Sequence, residues 1–181
     1  MSEMNDSTLQ KFLQQLVMGI DGLQGFNVIP RWQAEPPLIK NFGTNWASIG
    51  VMRKIPDRFA YVKQETVNKQ CQSQVYRNEI LEVLLTFYGP NAEANIERFT
   101  MGLQIPQNRE MLQNAGYGVV DIGDPVMMAE EIKQRWTRRV DVLFTLRRAA
   151  LYTYAVPNVK SATIELHNEV EDITITVVPK E

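Results

Sequence analysis

The sequence predicts an α/β or α+β domain with protruding strands, and three stretches carry that prediction. Residues 7–18 place apolar side chains at helical spacing, residues 75–88 alternate with the period of a strand, and residues 135–155 form a long alternating ribbon. With 181 residues, of which 44% are hydrophobic and 22% charged, the chain suits one globular domain that needs no disulfide or metal to fold.

Composition excludes several classes of protein. The formal net charge is −2 and the sequence pI is about 5.6, which argues against a dedicated nucleic-acid binder. Cys71 is the only cysteine, so neither an internal disulfide framework nor a cysteine-rich zinc site is expected. The N-terminus is acidic where a signal peptide would be basic, and no apolar run is long enough to span a bilayer. We therefore expect a protein made and folded in a cytoplasm, without a membrane partner.

The N-terminal third is predicted to combine one helix, an irregular segment and two strands. The helix of residues 7–18 is followed by residues 25–45, which are rich in proline and aromatic residues and predict an ordered loop or arm. Residues 46–55 and 59–65 alternate well enough to form two strands joined by a turn. The polar interval of residues 65–73 predicts a longer, mobile loop.

The middle of the chain predicts a central strand followed by two helices. Residues 75–88 are apolar on one face and half apolar on the other, which is typical of a strand covered partly on both sides. A helix starts at Asn91, which can cap it, and a second short helix follows Pro106. Residues 117–122 predict a short strand, whereas residues 127–135 fit either a helical turn or a loop.

The ribbon of residues 135–155 is the most distinctive element. As one strand it would reach roughly 70 Å at about 3.3 Å per residue, so it must bend, break near residues 148–150, or leave the domain as an arm. Residues 162–167 and 173–178 alternate around an acidic turn and predict a terminal hairpin. The predicted division is a main domain of residues 1–157 and a C-terminal hairpin arm of residues 158–181.

No catalytic motif is present. His167 is the only histidine and lies beside an acidic turn, and the chain has no nucleophile elbow. Neither a phosphate-binding loop nor a dinucleotide fingerprint occurs, and the acidic pairs lack the spacing of a calcium loop. We predict that the protein is not an enzyme and that it has no catalytic, cofactor-binding or metal-binding residues.

The ribbon is also the densest cluster of positive charge, and three interpretations of it stay open. Its arginines can contact phosphates or an acidic partner, they can pair with carboxylates along an exposed strand edge, or they can form a subunit interface, where Arg and Trp are enriched. The candidate interface residues are Arg135, Trp136, Arg138, Arg139, Arg147 and Arg148.

The order of several motifs resembles the neck and tail-terminator family of tailed bacteriophages. The motifs are residues 87–92, residues 102–110, the arginine-rich residues 135–148 and residues 152–154, with residues 30–33 and 46–50 upstream. The resemblance extends over roughly residues 28–160, and its most specific part is the Gly-Leu-Gln-Ile run at residues 102–105.

The resemblance implies a fold and a function. It implies an α+β fold in which helices flank a mixed, mostly antiparallel β-sheet with extended strand arms. It implies a structural virion protein at the neck–tail junction, made in the host cytoplasm, whose hexameric ring caps the tail tube and joins the tail to the head. The expected partners are further copies of the chain, the tail tube protein, and head–tail connector or neck proteins. We also expect the C-terminal hairpin to be an arm toward a neck or sheath partner.

The same resemblance favours the subunit or tube interface among the interpretations of the arginine ribbon. Six copies, each at −2, would carry −12, a sign that lets DNA pass through the channel without specific binding. Two alternatives remain: a connector or adaptor on the head side of the joint, and, from a different class, a DNA-binding module that uses the arginine-rich ribbon.

Overall fold

A computed structural model gives the fold of most of the chain. The described residues are 6–33, 43–67, 70–132, 134–155, 162–167 and 172–177. The helices are α1 Asp6–Asp21, α2 Ala92–Gly102 and α3 Pro106–Asn114, with a 3₁₀ turn at Gly25–Asn27. The strands are β1 Val28–Pro30, β2 Trp46–Pro56, β3 Tyr61–Val67, β4 Gln70–Tyr88, β5 Tyr117–Ile122, β6 Val126–Ile132, β7 Arg135–Ala155, β8 Ala162–His167 and β9 Asp172–Val177.

Seven of these strands form one mixed, mostly antiparallel sheet. The order is β1-β2-β4-β7-β5, with β3 also paired to β4 and β6 also paired to β7. Strands β1 and β2 are parallel, whereas β2–β4, β5–β7 and β6–β7 are antiparallel. Strands β8 and β9 form a separate antiparallel pair. The predicted α+β class is confirmed.

The hydrophobic core lies between the helices and one face of the sheet. On α1 the buried positions recur at helical spacing, and every second residue is buried over residues 79–85 of β4 and 140–146 of β7, so each periodicity in the sequence places one apolar face inward. Rings of Phe87, Phe99 and Phe144 meet there in tilted pairs. The core residues of these elements include Leu9, Leu13, Leu16, Val17, Leu81, Val83, Leu85, Phe87, Val140, Val142, Phe144 and Leu146.

The chain divides into two compact units. One comprises Met1–Ala60 with Tyr76–Leu151, and the other comprises Tyr61–Val75 with Tyr152–Glu181. Strands β4 and β7 contribute residues to both. The predicted boundary at residue 157 stays a prediction.

Three local predictions are wrong. The interval of residues 65–73 is not a long loop, because β3 continues to Val67 and β4 already begins at Gln70. Residues 127–135 are neither a helical turn nor a loop, since most of them form β6, which pairs with β7 over seven residues. The segment of residues 25–45 contains β1, although residues 34–42 lie outside the described part. In each case pairing with a neighbouring strand overrides a weak local pattern.

Other predictions are confirmed with small changes. The ribbon forms one continuous 21-residue strand, so the strand is confirmed and the predicted alternative of a break near residues 148–150 is wrong. Asn91 is the N-cap residue of α2, but its side chain makes no capping hydrogen bond; instead its backbone N–H donates to Oδ1 of Asn45. The terminal hairpin forms where it was predicted.

The Gly-Leu-Gln-Ile run forms the turn between α2 and α3. Arg109 Nε donates to the carbonyl of Leu103 at 3.0 Å, and Asn108 Nδ2 donates to the carbonyl of Gly102 at 2.8 Å. Gly102 also packs closely on α1, because a Cβ there would lie 2.4 Å from Cγ2 of Ile20. The motif therefore satisfies carbonyls at the end of α2 and lets two helices approach.

Candidate interaction surface

Strand β7 carries all six candidate interface residues and lies inside the sheet. It pairs with β4 on one side and with β6 and β5 on the other. Val140, Val142, Phe144 and Leu146 point into the core, so the residues between them lie on the opposite face of the sheet. The six candidates are distributed over both faces and do not form a single cluster.

Arg139 is held by acidic groups of the same sheet. Its Nε and Nη2 donate to the two carboxylate oxygens of Asp141 at 3.0 and 2.8 Å, and its Nη1 lies 3.2 Å from Oε2 of Glu130. The guanidinium carbon also lies 5.9 Å from the ring centroid of Tyr88. The hydrogen bonds that Arg139 donates to Asp141 raise the pKa of Arg139 further above its usual value, against the effect of burial. Its charge is largely neutralised within the subunit.

Arg148 is buried in an ion pair with Glu79 of β4. Its Nη2 and Nε lie 2.8 and 2.9 Å from the same carboxylate oxygen, and the two side chains are 10% and 9% exposed. Burial alone lowers the pKa of Arg148, but the hydrogen bonds and charge of Glu79, with a further hydrogen bond to Tyr117, more than offset it and raise the pKa. Arg148 thus ties β7 to β4 within the subunit. That it also contacts another subunit or the tail tube stays a prediction.

The remaining candidates are exposed. Trp136 is 74% exposed, and Arg135 and Arg147 are exposed as well. Arg138 makes a 3.6 Å ion pair with Glu93 of α2, in which both side chains are well solvated, so this pair holds the arginine only weakly. That these residues contact other subunits or the tail tube stays a prediction.

Strand β6 adds an apolar surface beside them that the sequence analysis did not identify. Val126, Met127 and Met128 follow one another and are all exposed. The register pairs Met127 with Val140 and Glu131 with Trp136, which places Met127 and Trp136 on the same face of the β6–β7 pair. The Val-Met-Met-Ala run does not alternate between apolar and polar residues, so its sequence pattern alone does not predict a strand.

Arg31, just after β1, reaches across the face of the sheet that is opposite the helices. Its Nη2 donates to the hydroxyl of Thr86, while the buried Nε finds no hydrogen-bond partner among the described residues. Burial lowers the pKa of Arg31, and Tyr88 and Asp141 are the charged or titratable groups that oppose this most. Next to it the rings of Trp46 and Tyr88 stack with centroids 3.9 Å apart. This face is therefore built from polar and aromatic contacts within the subunit.

Asp21 is a buried acid at the end of α1. Neither of its carboxylate oxygens has a hydrogen-bond partner in the described part of the chain, and Arg98 donates to its backbone carbonyl at 3.2 Å. Burial raises the pKa of Asp21 to about 7, although the charge of Arg98 acts in the opposite direction. Burial without a hydrogen-bond partner among the described residues therefore favours the neutral form of this acid.

Among the described residues, no group of three or more His, Cys, Asp or Glu side chains is placed to hold a metal ion. No helix in that part of the chain is long and apolar enough to cross a membrane.

Comparison with known proteins agrees with the resemblance in the motifs. The model of a family described as phage neck terminator protein matches residues 7–175, which is nearly the whole chain. No curated protein matches the chain. The family is one of structural proteins of the phage neck, and its members are components of the virion. The chain belongs to the phage neck terminator protein family.

Proposed function

We propose that this protein is the ring-forming subunit that caps the phage tail tube and joins the tail to the head. The observation that carries the proposal is the family match over residues 7–175. The mechanism is geometric. A ring whose lower face matches the end of the tube, and whose upper face does not, stops the addition of tube subunits and offers a docking face to the head.

The exposed part of the β6–β7 pair supports this function. A durable contact between subunits buries at least about 1,200 to 2,000 Å², with Trp, Met and Arg enriched at its centre. Trp136, Met127 and Met128 are large and exposed, and they lie on neighbouring strands. Exposed apolar residues of this size on adjacent strands favour a protein–protein contact.

The alternative of a DNA-binding module has weaker support. Phosphate contacts need unpaired cations, and Arg139 and Arg148 are already paired with carboxylates in the subunit. The net charge of −2 gives the chain no overall attraction to phosphates that could replace these two arginines. DNA affinity that falls steeply with added salt would revive this alternative, and no detectable binding at low salt would remove it.

Negative-stain imaging of the purified full chain, alone and mixed with tail tubes that lack it, tests the proposal. Rings, or caps at one end of the tubes, are the expected result. Copies that ignore the tubes but bind head portals would assign the protein to the head side of the joint. Copies that ignore both would refute an assembly role.

A further inference from the structure

A cleft opens at the edge of the sheet where β1 ends and β2 continues. Strand β1 pairs with β2 only over residues 47–49, whereas β2 runs on to Pro56. The cleft has a volume of about 630 Å³ and lies between the second half of β2, the N-terminal half of α1 and Trp32, which follows β1. It is thus formed by three different elements of the fold.

Hydrogen bonds fix the walls of the cleft. The side-chain amide of Gln10 on α1 donates to the carbonyl of Ile49 at 2.8 Å, and the indole Nε1 of Trp32 donates to the carbonyl of Val51 at 2.9 Å. Gly50 leaves room for the indole, because a Cβ there would lie only 3.3 Å from it. The cleft is therefore preformed, and an occupant does not have to order its walls.

A β-bulge in β2 determines which charges face the cleft. The register of β2 with β4 shifts just after Val51. Lys54 pairs with the core residue Leu81, so Lys54 lies on the helix side of the sheet, as Val51 does. Without the extra residue of the bulge, strand alternation would place Lys54 on the opposite face. The bulge thus brings Lys54 to the same side as Lys11 of α1, and both line the cleft.

The charges around the cleft have one sign. Among its described lining residues, Lys11, Arg53 and Lys54 are cationic and none is acidic. Arg53 makes a 2.7 Å ion pair with Glu82, which is not a lining residue, but the arginine side chain is 63% exposed, so this pair is weak. Lys11 is exposed as well. Charge complementarity therefore favours a negatively charged occupant.

Between these cations the cleft is apolar. Trp32 and Met52 line it and are 63% and 48% exposed, and Trp and Met are enriched in protein–protein interfaces. A phosphate backbone would contact the cations and leave this apolar surface in water. An acidic protein segment that carries an apolar side chain would cover both.

We propose that this cleft binds an acidic segment of another protein, with an apolar side chain on Trp32 and carboxylates beside Lys11 and Lys54. The inference goes beyond the proposed ring and does not depend on it, because β4 and β7 separate β2 from the exposed β6–β7 surface in the sheet order. A second copy docking through Trp136 is disfavoured, since Arg135 and Arg138 would bring like charges to the cleft.

Fluorescence anisotropy of a labelled peptide of five Glu-Leu repeats, mixed with the full chain, tests the proposal. We expect binding that weakens with added salt, and no binding of a peptide of five Lys-Leu repeats. Lys11→Glu should lower the affinity about 10-fold, because it replaces an attraction with a repulsion. Trp32→Ala should lower it about 30-fold, as the loss of an interface tryptophan does.

Arg58→Glu is the matched control. Arg58 is exposed in the turn after β2 and is not among the residues that line the cleft, and its reversal changes the net charge as much as Lys11→Glu does. This variant should bind the acidic peptide like the wild type. Glu is a good helix former, so Lys11→Glu should keep α1 intact, and unchanged urea midpoints of the variants exclude misfolding as the cause of lost binding.

Several outcomes would overturn the inference. Wild-type protein that does not bind the acidic peptide at low salt removes the site, and equal losses in Lys11→Glu and Arg58→Glu show only a general attraction. A ten-nucleotide thymidine strand that displaces the peptide would assign the cleft to nucleic acid. Self-association of the wild type that Lys11→Glu abolishes would assign it to a second copy. In each case tube capping by the wild type still supports the proposed function, which is measured separately.

Discussion

Replacing Arg148 tests whether this candidate interface residue acts inside the fold. Arg148→Met leaves Glu79 buried without its partner, and breaking a buried ion pair from one side costs about 3–5 kcal/mol. Glu79→Gln should cost a similar amount because it leaves the guanidinium buried. Since domains of this kind are stable by about 5–15 kcal/mol, either change removes a large part of the total.

Urea unfolding followed by circular dichroism measures the effect. With a slope of about 2 kcal/mol per molar urea, the expected loss lowers the midpoint by roughly 1.5–2.5 M. The neighbouring Arg147→Met is the matched control. Arg147 is exposed, so its replacement should stay within about 0.5 kcal/mol of the wild type.

The double variant Arg148→Met with Glu79→Gln completes the cycle. Removing both charges together should cost much less than the sum of the single changes, because no buried charge is left alone. If Arg148→Met instead keeps the wild-type urea midpoint and loses only tube capping, the side chain serves a partner and the structural assignment is refuted.

Three further predictions use the same two measurements, urea unfolding and tube capping. Trp136→Ala should weaken tube capping by about 30-fold, as loss of a central interface tryptophan does, without changing the urea midpoint. Gly89→Ala should destabilise by about 1–3 kcal/mol, because φ is +108° there and a Cβ would lie 2.7 Å from the carbonyl oxygen of Thr44, whereas Gly118→Ala has open space and should not. The pKa of Asp21 is raised from 3.8 to about 7, so the folded state loses stability as pH rises through that window. Asp21→Asn should therefore stabilise at pH 8, by at most about 4 kcal/mol, and change little at pH 4, measured by urea midpoints at both.

The elements that could be predicted from sequence are those whose burial repeats with a regular period. The spacing of Leu9, Leu13 and Leu16 predicts α1, and the alternation along β4 and β7 predicts which of their residues are buried. Each of these elements has one apolar face, which can be recognised from the local sequence alone. The structure confirms them because the core lies on that face.

What could not be predicted depends on partners distant in sequence. Strand β6 has no regular alternation and is defined by its pairing with β7, and the polar start of β4 is defined by its pairing with β3. Likewise, Glu79 is 69 residues from Arg148, so no spacing rule indicated that this arginine is already paired. Charge density along a strand does not distinguish arginines that bind a partner from arginines that hold the sheet together.

That distinction changes where the partner surface is expected. Arg139 and Arg148 lie on opposite faces of β7, and each is fixed by a carboxylate, so neither face presents a continuous row of free cations. Two large exposed side chains instead lie side by side on the β6–β7 pair, namely Trp136 on β7 and Met127 on β6. An interface built on them depends on apolar area, and its strength should change little with salt, because screening acts on exposed charges. Weak salt dependence of tube capping would support an interface built on Trp136 and Met127. Capping that disappears at about 0.5 M salt would instead indicate that the exposed arginines form the contact.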